Sequence, residues 1–203
     1  MAETGPSRQR GQSTVEFGAS ALVLILLLFG LIDLGRVFYF DVGLMGSVRE
    51  GARQASWFDP GTGTNPYLYD TDGWAGQPCA DTNPHPGIKE SVDCNLSKSG
   101  LPASVLQNAT TTCPTPNDGN VQYNPPYMDD AYPGALNQPS LFICYAGTPG
   151  LDLAAAPTDN SYKGSDVNVI LVMSFGFTSG FLQGVLGNSV HIVANTHMTV
   201  GGY

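Results

Sequence analysis

The sequence predicts an α+β protein in which a long N-terminal membrane-spanning helix packs on a small antiparallel β-sheet, with a long disulfide-stapled loop insertion between the two. Three observations lead to this fold class. Residues 17–32 contain no charge and no proline, the middle of the chain is rich in proline and turn dipeptides, and apolar and polar side chains alternate in the C-terminal part. We therefore divide the chain into a helix (12–56), an insertion (57–139) and C-terminal strands that complete the outer domain (140–203).

The apolar run is a candidate membrane span. With a rise of about 1.5 Å per residue, residues 17–32 cover about 24 Å, which is less than the ~30 Å hydrocarbon core of a bilayer. We expect Val15 at one end and Leu34, Val37 and Phe38 at the other to extend the span. Apolar residues then recur at three- and four-residue steps as far as Ala55, the period of an amphipathic helix. The prediction is one uninterrupted helix over residues 12–56 that serves as anchor and as core element.

Charged residues flank the start of the span. Arg8 and Arg10 precede it, and Glu16 lies directly against it. A carboxylate at the edge of an apolar span is costly unless it meets a cation or hydrogen-bond donors. Cleavage after Gly11 would give Gln12 a free ammonium group, which is a natural partner for Glu16 of the same or an adjacent subunit. The two arginines place the N-terminus in the cytoplasm by the positive-inside rule.

The same residues carry a family resemblance. Residues 11–17 (GQSTVEF) resemble a type IV prepilin processing site. Together with the apolar run, GLIDLGRVFY from residue 30 and VREGARQA from residue 48, they resemble the TadE/TadF-like minor pilins, or pseudopilins, of tight-adherence (Tad/Flp-type) pilus systems. The resemblance covers about the first 56 residues.

The resemblance implies roles for the start of the helix. Residues 1–11 would be a leader peptide that a prepilin peptidase removes by cutting after Gly11. Gln12 would then be the mature N-terminus, and Glu16 and Phe17 would be the positions recognised in processing and assembly.

A structural role in building a filament follows from this resemblance. The protein would be a minor pilin or pseudopilin in the bacterial cytoplasmic membrane, with a single span, a cytoplasmic N-terminus and an extracytoplasmic C-terminal domain, and the cell-surface pilus would be a further location. Its partners would be other pilins, the pilus assembly platform, the prepilin peptidase and membrane lipid. The alternative is an uncleaved signal anchor that displays an outer domain for adhesion to a surface glycan or protein.

Charge and motifs argue against two other classes of protein. The chain has 8 Lys and Arg against 17 Asp and Glu, so its field would repel the phosphate backbone of a nucleic acid. We find no G-x-S-x-G, H-E-x-x-H, P-loop or dinucleotide-binding motif. We therefore expect neither nucleic-acid binding nor enzymatic activity, and no cofactor.

Four cysteines lie in the part of the chain assigned to the exterior, where disulfides persist. None of them forms a C-x-x-C pair, which argues against a zinc ribbon. Two structural disulfides are expected, and three pairings are open. Sequential pairing closes the shortest loops and is therefore favoured, joining Cys79 to Cys94 and Cys113 to Cys144.

The insertion is expected to be mostly loop, with a short helix near residues 103–108. Asp70 and Asp72 precede a glycine as in the start of a calcium loop. A full loop needs a further oxygen ligand before that glycine and a glutamate six residues after it, where this chain has Cys79. Asp70 and Asp72 are therefore only a weak calcium candidate, and no metal site is predicted.

Three antiparallel, half-buried strands are predicted from alternating or short apolar runs, at residues 140–146, 166–177 and 189–200. Residues 181–186 between the last two should be an apolar connection that packs on the sheet or near the membrane.

Asp33 and Arg36 lie three residues apart at the outer edge of the span, where an unpaired charge is expensive. We expect them to pair on the helix. In a filament they could instead form an ion pair between subunits.

Overall fold

The computed structural model describes residues 11–56, 79, 88–101, 113–117, 126–145, 164 and 166–201. Three α-helices, three β-strands and one short 3-10 helix lie in these ranges, and they confirm the α+β class. In chain order they are α1 (Gln12–Ser56), α2 (Ile88–Lys98), the 3-10 helix (Asp129–Ala131), β1 (Ser140–Tyr145), β2 (Asp166–Gly176), α3 (Gly180–Leu186) and β3 (Ser189–Thr199).

Helix α1 is continuous over 45 residues, which corresponds to roughly 67 Å. It is long and apolar enough to cross a membrane, and none of its most apolar 18-residue window is buried in the fold. From Gly43 onward the helix buries one face of small and apolar side chains against the rest of the protein. One continuous helix therefore combines an exposed apolar part with a part that packs in the core, as the sequence predicts.

The sheet has the order β1-β2-β3, and both pairings are antiparallel. The prediction of half-buried strands is wrong for β1, where Ser140 to Cys144 are buried, and for β2, where every residue from Val167 to Gly176 is buried. Strand β2 is central, and both of its faces are covered. Apolar residues on both faces, such as Val169 on one and Ile170 on the other, explain why its sequence is nearly continuously hydrophobic.

The larger core lies between α1, α2 and one face of the sheet. Small residues of α1, including Ala52 and Ala55, allow the helix to approach the sheet closely. The fully buried side chains of this core include Leu44, Val48, Ile88, Val92, Leu96, Leu141, Val169, Leu171 and Phe175.

A second, smaller core covers the opposite face of the sheet. Tyr127 and Tyr132 from the segment before β1 pack there against Phe142, Ile170 and Val172. Burial raises the pKa of Tyr127 to about 12, so its hydroxyl stays protonated.

Helix α2 lies within the segment predicted as a loop insertion, and the sequence analysis missed it. Its three apolar residues, Ile88, Val92 and Leu96, recur at four-residue steps and are fully buried against α1. The other eight residues are polar, charged or cysteine. With so few apolar residues, the helical period is difficult to recognise in the sequence. The short helix predicted near residues 103–108 lies outside the described residues.

Helix α2 also carries a buried ion pair. The Lys89 Nζ atom lies 2.8 Å from Asp93 Oδ2, and both residues are buried. Burial raises the pKa of Asp93 to about 6, although the Lys89 ammonium acts in the opposite direction. The Lys89 ammonium therefore offsets only part of the free-energy cost of removing the Asp93 carboxylate from water.

We predict that Gly51→Ala destabilises the domain by about 1 to 3 kcal/mol, the usual cost of overpacking a core. A Cβ atom at Gly51 would lie 2.5 Å from Val92 Cγ2 and 3.2 Å from Val169 Cγ1. The measurement is the free energy of unfolding of the full-length protein in detergent.

Gly35→Ala is the matched control, because a Cβ atom there meets nothing within 4 Å. The control should be neutral or more stable by up to ~1 kcal/mol, since alanine is the better helix former. Equal stability of the two variants would contradict the tight α1–α2–β2 contact.

Candidate functional site

The predicted processing site lies at the first turn of α1. The helix begins at Gln12, and the carbonyl of Gly11 accepts the amide of Val15 at 3.3 Å. The peptide bond between Gly11 and Gln12 is therefore the boundary of the helix, and the residues around it are exposed. The leader residues 1–10 lie outside the described residues.

Glu16 is within reach of Gln12. Gln12 Nε2 donates a hydrogen bond to Glu16 Oε1 at 3.1 Å, one helical turn away. A donor on residue 12 can thus meet this carboxylate on the helix surface. Phe17 follows with 74% of its surface exposed, so Glu16 and Phe17, to which the resemblance assigns roles in processing and assembly, are both exposed together with the apolar run.

The large apolar side chains of α1 are exposed over most of residues 15–42, whereas Val37 and Phe40 are partly buried against the larger core. An apolar surface of this extent marks a membrane or protein interaction, and an all-round apolar helix needs an apolar environment. The large residues concerned are Val15, Phe17, Leu22, Val23, Leu24, Ile25, Leu27, Leu28, Phe29, Leu31, Ile32, Leu34, Phe38, Tyr39 and Val42.

Asp33 is the exception, because it is fully buried in a part of α1 that is otherwise exposed or half-buried. Its Oδ1 atom accepts the amide of Thr178 at 3.2 Å and the hydroxyl of Thr178 at 2.5 Å. Its Oδ2 atom accepts the amide of Ser179 at 2.9 Å and the hydroxyl of Ser179 at 2.6 Å. These donors compensate the desolvation of the carboxylate.

Arg36 completes this arrangement, which we call the Asp33 clasp (Asp33, Arg36, Thr178 and Ser179). Arg36 Nη1 lies 3.2 Å from Asp33 Oδ1 and donates to Thr178 Oγ1 at 2.9 Å. Its guanidinium carbon lies 5.1 Å from the centre of the Phe175 ring, within the range of a cation–π contact. The expected pairing of Asp33 with Arg36 on the helix is present.

The clasp joins two segments that are 145 residues apart in sequence. Thr178 and Ser179 connect β2 to α3, so the carboxylate fixes the outer domain to the helix at the end of the apolar run. The predicted ion pair between subunits stays a prediction. In this chain the Asp33 carboxylate is occupied internally, and the Arg36 side chain keeps 32% of its surface exposed.

The four cysteines form two disulfides in the outer domain. Cys79 is joined to Cys94 on α2, with 5.0 Å between their Cα atoms, and Cys113 is joined to Cys144 on β1, with 5.9 Å between theirs. This is the sequential pairing. Each bond attaches a part of the insertion to a regular element.

The weak calcium candidates lie outside the described residues, since the structure describes neither Asp70 nor Asp72. Among the residues that it does describe, no three His, Cys, Asp or Glu side chains group in a way that could hold a metal ion.

The sequence analysis found Asp33 and Arg36 but missed the other half of the clasp. Thr178 and Ser179 carry a weak signal, a pair of hydroxyl residues between two apolar stretches. Only the fold brings them to the helix.

We predict that Asp33→Asn destabilises the protein by about 1 to 3 kcal/mol, because the amide of asparagine accepts on one oxygen only and leaves donors of Thr178 or Ser179 without an acceptor. Hydrogen exchange at the Thr178 and Ser179 amides should accelerate at least about tenfold, which corresponds to about 1.4 kcal/mol. Exchange measured by NMR or mass spectrometry on the detergent-solubilised protein checks this.

Glu50→Gln is the matched control, since Glu50 pairs with Arg53 at the same three-residue spacing on the same helix but is partly exposed. Its effect should stay below about 1 kcal/mol, as for other surface ion pairs. Unchanged exchange at residues 178 and 179 in Asp33→Asn would show that the clasp does not hold the domain.

Comparison with known proteins agrees with the N-terminal resemblance. Residues 11–53 match the family model described as TadE-like protein. The match starts at the predicted cleavage residue and covers nearly all of α1. Searches among curated proteins and among solved structures return no match. This chain therefore carries a TadE-like N-terminal segment, which indicates a protein associated with a Tad pilus.

Proposed function

We propose that this protein is a minor pilin or pseudopilin that is built into, or helps to build, a tight-adherence pilus. The observation that carries the proposal is the coincidence of the TadE-like match, over residues 11–53, with a helix whose most apolar 18-residue stretch has no buried residue. The partners in this proposal are other pilins, the assembly platform in the membrane and a prepilin peptidase.

The surface of α1 suits two successive environments. Before assembly the lipid tails of the membrane cover it, and in a filament the helices of neighbouring subunits would cover it. Both environments are apolar, so the transfer of most side chains between them changes the free energy little. Glu16 is the exception, because its carboxylate is expensive in either environment unless it is neutralised.

Cleavage after Gly11 supplies the neutralising group. The new ammonium on Gln12 would lie one helical turn, about 6 Å along the axis, from Glu16, and the Gln12 side chain already donates a hydrogen bond to the Glu16 carboxylate. In an assembly, the ammonium of one subunit and the carboxylate of the next would form the pair. This lowers the cost of placing Glu16 inside a helical bundle.

The outer domain would follow the helix as one body. The second half of α1 is part of the larger core, and the Asp33 clasp adds a second attachment at the end of the apolar run. A displacement of α1 along its axis therefore moves the sheet with it. The N-terminus is proposed to be cytoplasmic and the sheet extracytoplasmic, where the two disulfides are stable.

The first test is the mass of the N-terminal peptide of the native protein, taken separately from membranes and from the sheared surface fraction. We expect a mature start at Gln12. Gly11→Val should retain the leader, because the peptidase no longer meets its glycine. Gly18→Val is the control, since a Cβ atom at either glycine meets nothing within 4 Å.

An intact leader in the wild-type protein, found in membranes alone, would contradict the proposed processing. It would favour the uncleaved, signal-anchored adhesion module instead.

The second test is Glu16→Ala, which should abolish or strongly reduce piliation and leave the thermal unfolding of the outer domain unchanged. Glu16 is exposed, and the Gln12 side chain is its hydrogen-bond partner. Glu50→Ala on the same helix is the control and should give normal pili. Electron microscopy of the cells gives the number and length of the filaments, and normal values in Glu16→Ala would exclude this role of the carboxylate.

A further inference from the structure

Helix α3 exposes apolar side chains although it belongs to the outer domain. The exposed fractions are 45% for Phe181, 67% for Val185 and 61% for Leu186. We call these three residues the α3 patch. Leu182, in contrast, is partly buried against the larger core, so the helix is attached to the domain on one side and exposed on the other.

We propose that the α3 patch rests on the outer surface of the lipid bilayer that α1 spans, with its side chains among the headgroups and the first part of the acyl chains. The inference rests on α1 being a membrane anchor, and it adds a second lipid contact that is made by the outer domain itself.

The position of α3 along α1 is the first argument. Asp33 directly follows the apolar run, about 24 Å along the helix axis from Phe17. Its Oδ2 atom binds the amide of Ser179 at 2.9 Å, and α3 begins at the next residue, Gly180. The clasp therefore holds α3 within a few ångströms of the level where a hydrocarbon core of about 30 Å ends.

The exposed surface of α1 at this level is the second argument. Leu34 and Phe38, which flank the clasp along the helix, are 50% and 61% exposed. The exposed apolar surface of α1 thus continues along the helix axis past the level of Asp33, on faces of the helix that Asp33 does not occupy. The same bilayer boundary can therefore contact the exposed side chains of α1 and the α3 patch.

Charge is the third argument. The chain carries a formal net charge of −9, and most of its surface would be repelled by anionic headgroups. No Asp, Glu, Lys or Arg follows Asp166 in the sequence, so α3 and its flanks add no negative charge. Arg36 lies at the same level with part of its guanidinium exposed, and this group can meet a lipid phosphate.

A second copy of the chain is the other candidate occupant. Three side chains on a helix of seven residues offer much less than the roughly 800 Å² per partner of a standard protein interface. A short apolar helix at a membrane boundary, by contrast, can bind lipid through a few buried side chains. The observations therefore favour lipid.

The experiment places a spin label on the full-length protein in vesicles of phosphatidylcholine and phosphatidylglycerol. All four native cysteines are in disulfides, so Val185→Cys provides a single free thiol. The accessibility of the label to oxygen, which concentrates in hydrocarbon, is compared with its accessibility to a water-soluble nickel chelate. Two further spin labels calibrate the accessibility scale. One is at residue 24 in the apolar run, and the other is at residue 128, which is exposed and follows Tyr127 of the smaller core.

We expect the ratio of oxygen to nickel accessibility at residue 185 to exceed that at residue 128 by roughly threefold, as for a side chain at the interface, and to remain below that at residue 24. Leu186→Asp should lower the ratio at residue 185 towards the aqueous value, because a carboxylate does not enter this region cheaply.

Three results would overturn the proposal. Equal ratios at residues 185 and 128, with residue 24 in hydrocarbon, would leave the membrane anchor intact and exclude the lipid contact of α3. Shielding of residue 185 from both reagents that grows with the protein-to-lipid ratio would assign the patch to a neighbouring copy. An aqueous ratio at residue 24 would remove the anchor and this contact together.

Discussion

The buried carboxylate of Asp33 determines how the C-terminal domain is attached to helix α1. Without it, the sheet would be held to α1 through Val37, Phe40 and the second half of the helix. Its two oxygens accept hydrogen bonds from two amides and two hydroxyls of Thr178 and Ser179. Arg36 also contacts the Oδ1 atom. A charge at the end of an apolar run is expensive, so the compensation must come from donors that the fold supplies, and this requirement fixes the position of α3.

Helix α1 joins two kinds of packing without a break. Its first part is covered by large aliphatic and aromatic side chains, which suit lipid or the helices of other subunits. Its second part uses Gly43 and Gly51 where Leu101 and Val92 come closest, which lets α2 and the sheet approach the backbone. This division explains how one helix can be an anchor and a core element, and why a force on the anchor would reach the whole domain.

The rest of the outer domain is built around the central strand β2. Both of its faces are buried, one against α1 and the other against the segment that carries Tyr127 and Tyr132. The disulfides attach the chain before α2 and the chain before β1 to this framework. The segment 57–139 is therefore part of the domain, because it supplies α2 to the larger core and Tyr127 and Tyr132 to the smaller one.

The sequence by itself determined the long helix, the boundaries of the three strands to within one residue, and the candidate processing residues, because these depend on local hydrophobic period and on the order of residues around Gly11 and Glu16. It did not reveal α2, whose three apolar residues are diluted by polar ones, nor the burial of β2 on both faces. Only the tertiary structure decided that Asp33 binds Thr178 and Ser179 and that α3 lies at the level of the clasp. The physical reason is that a buried carboxylate takes its donors from whichever segment the fold brings near, and no local pattern in the sequence encodes a contact across 145 residues.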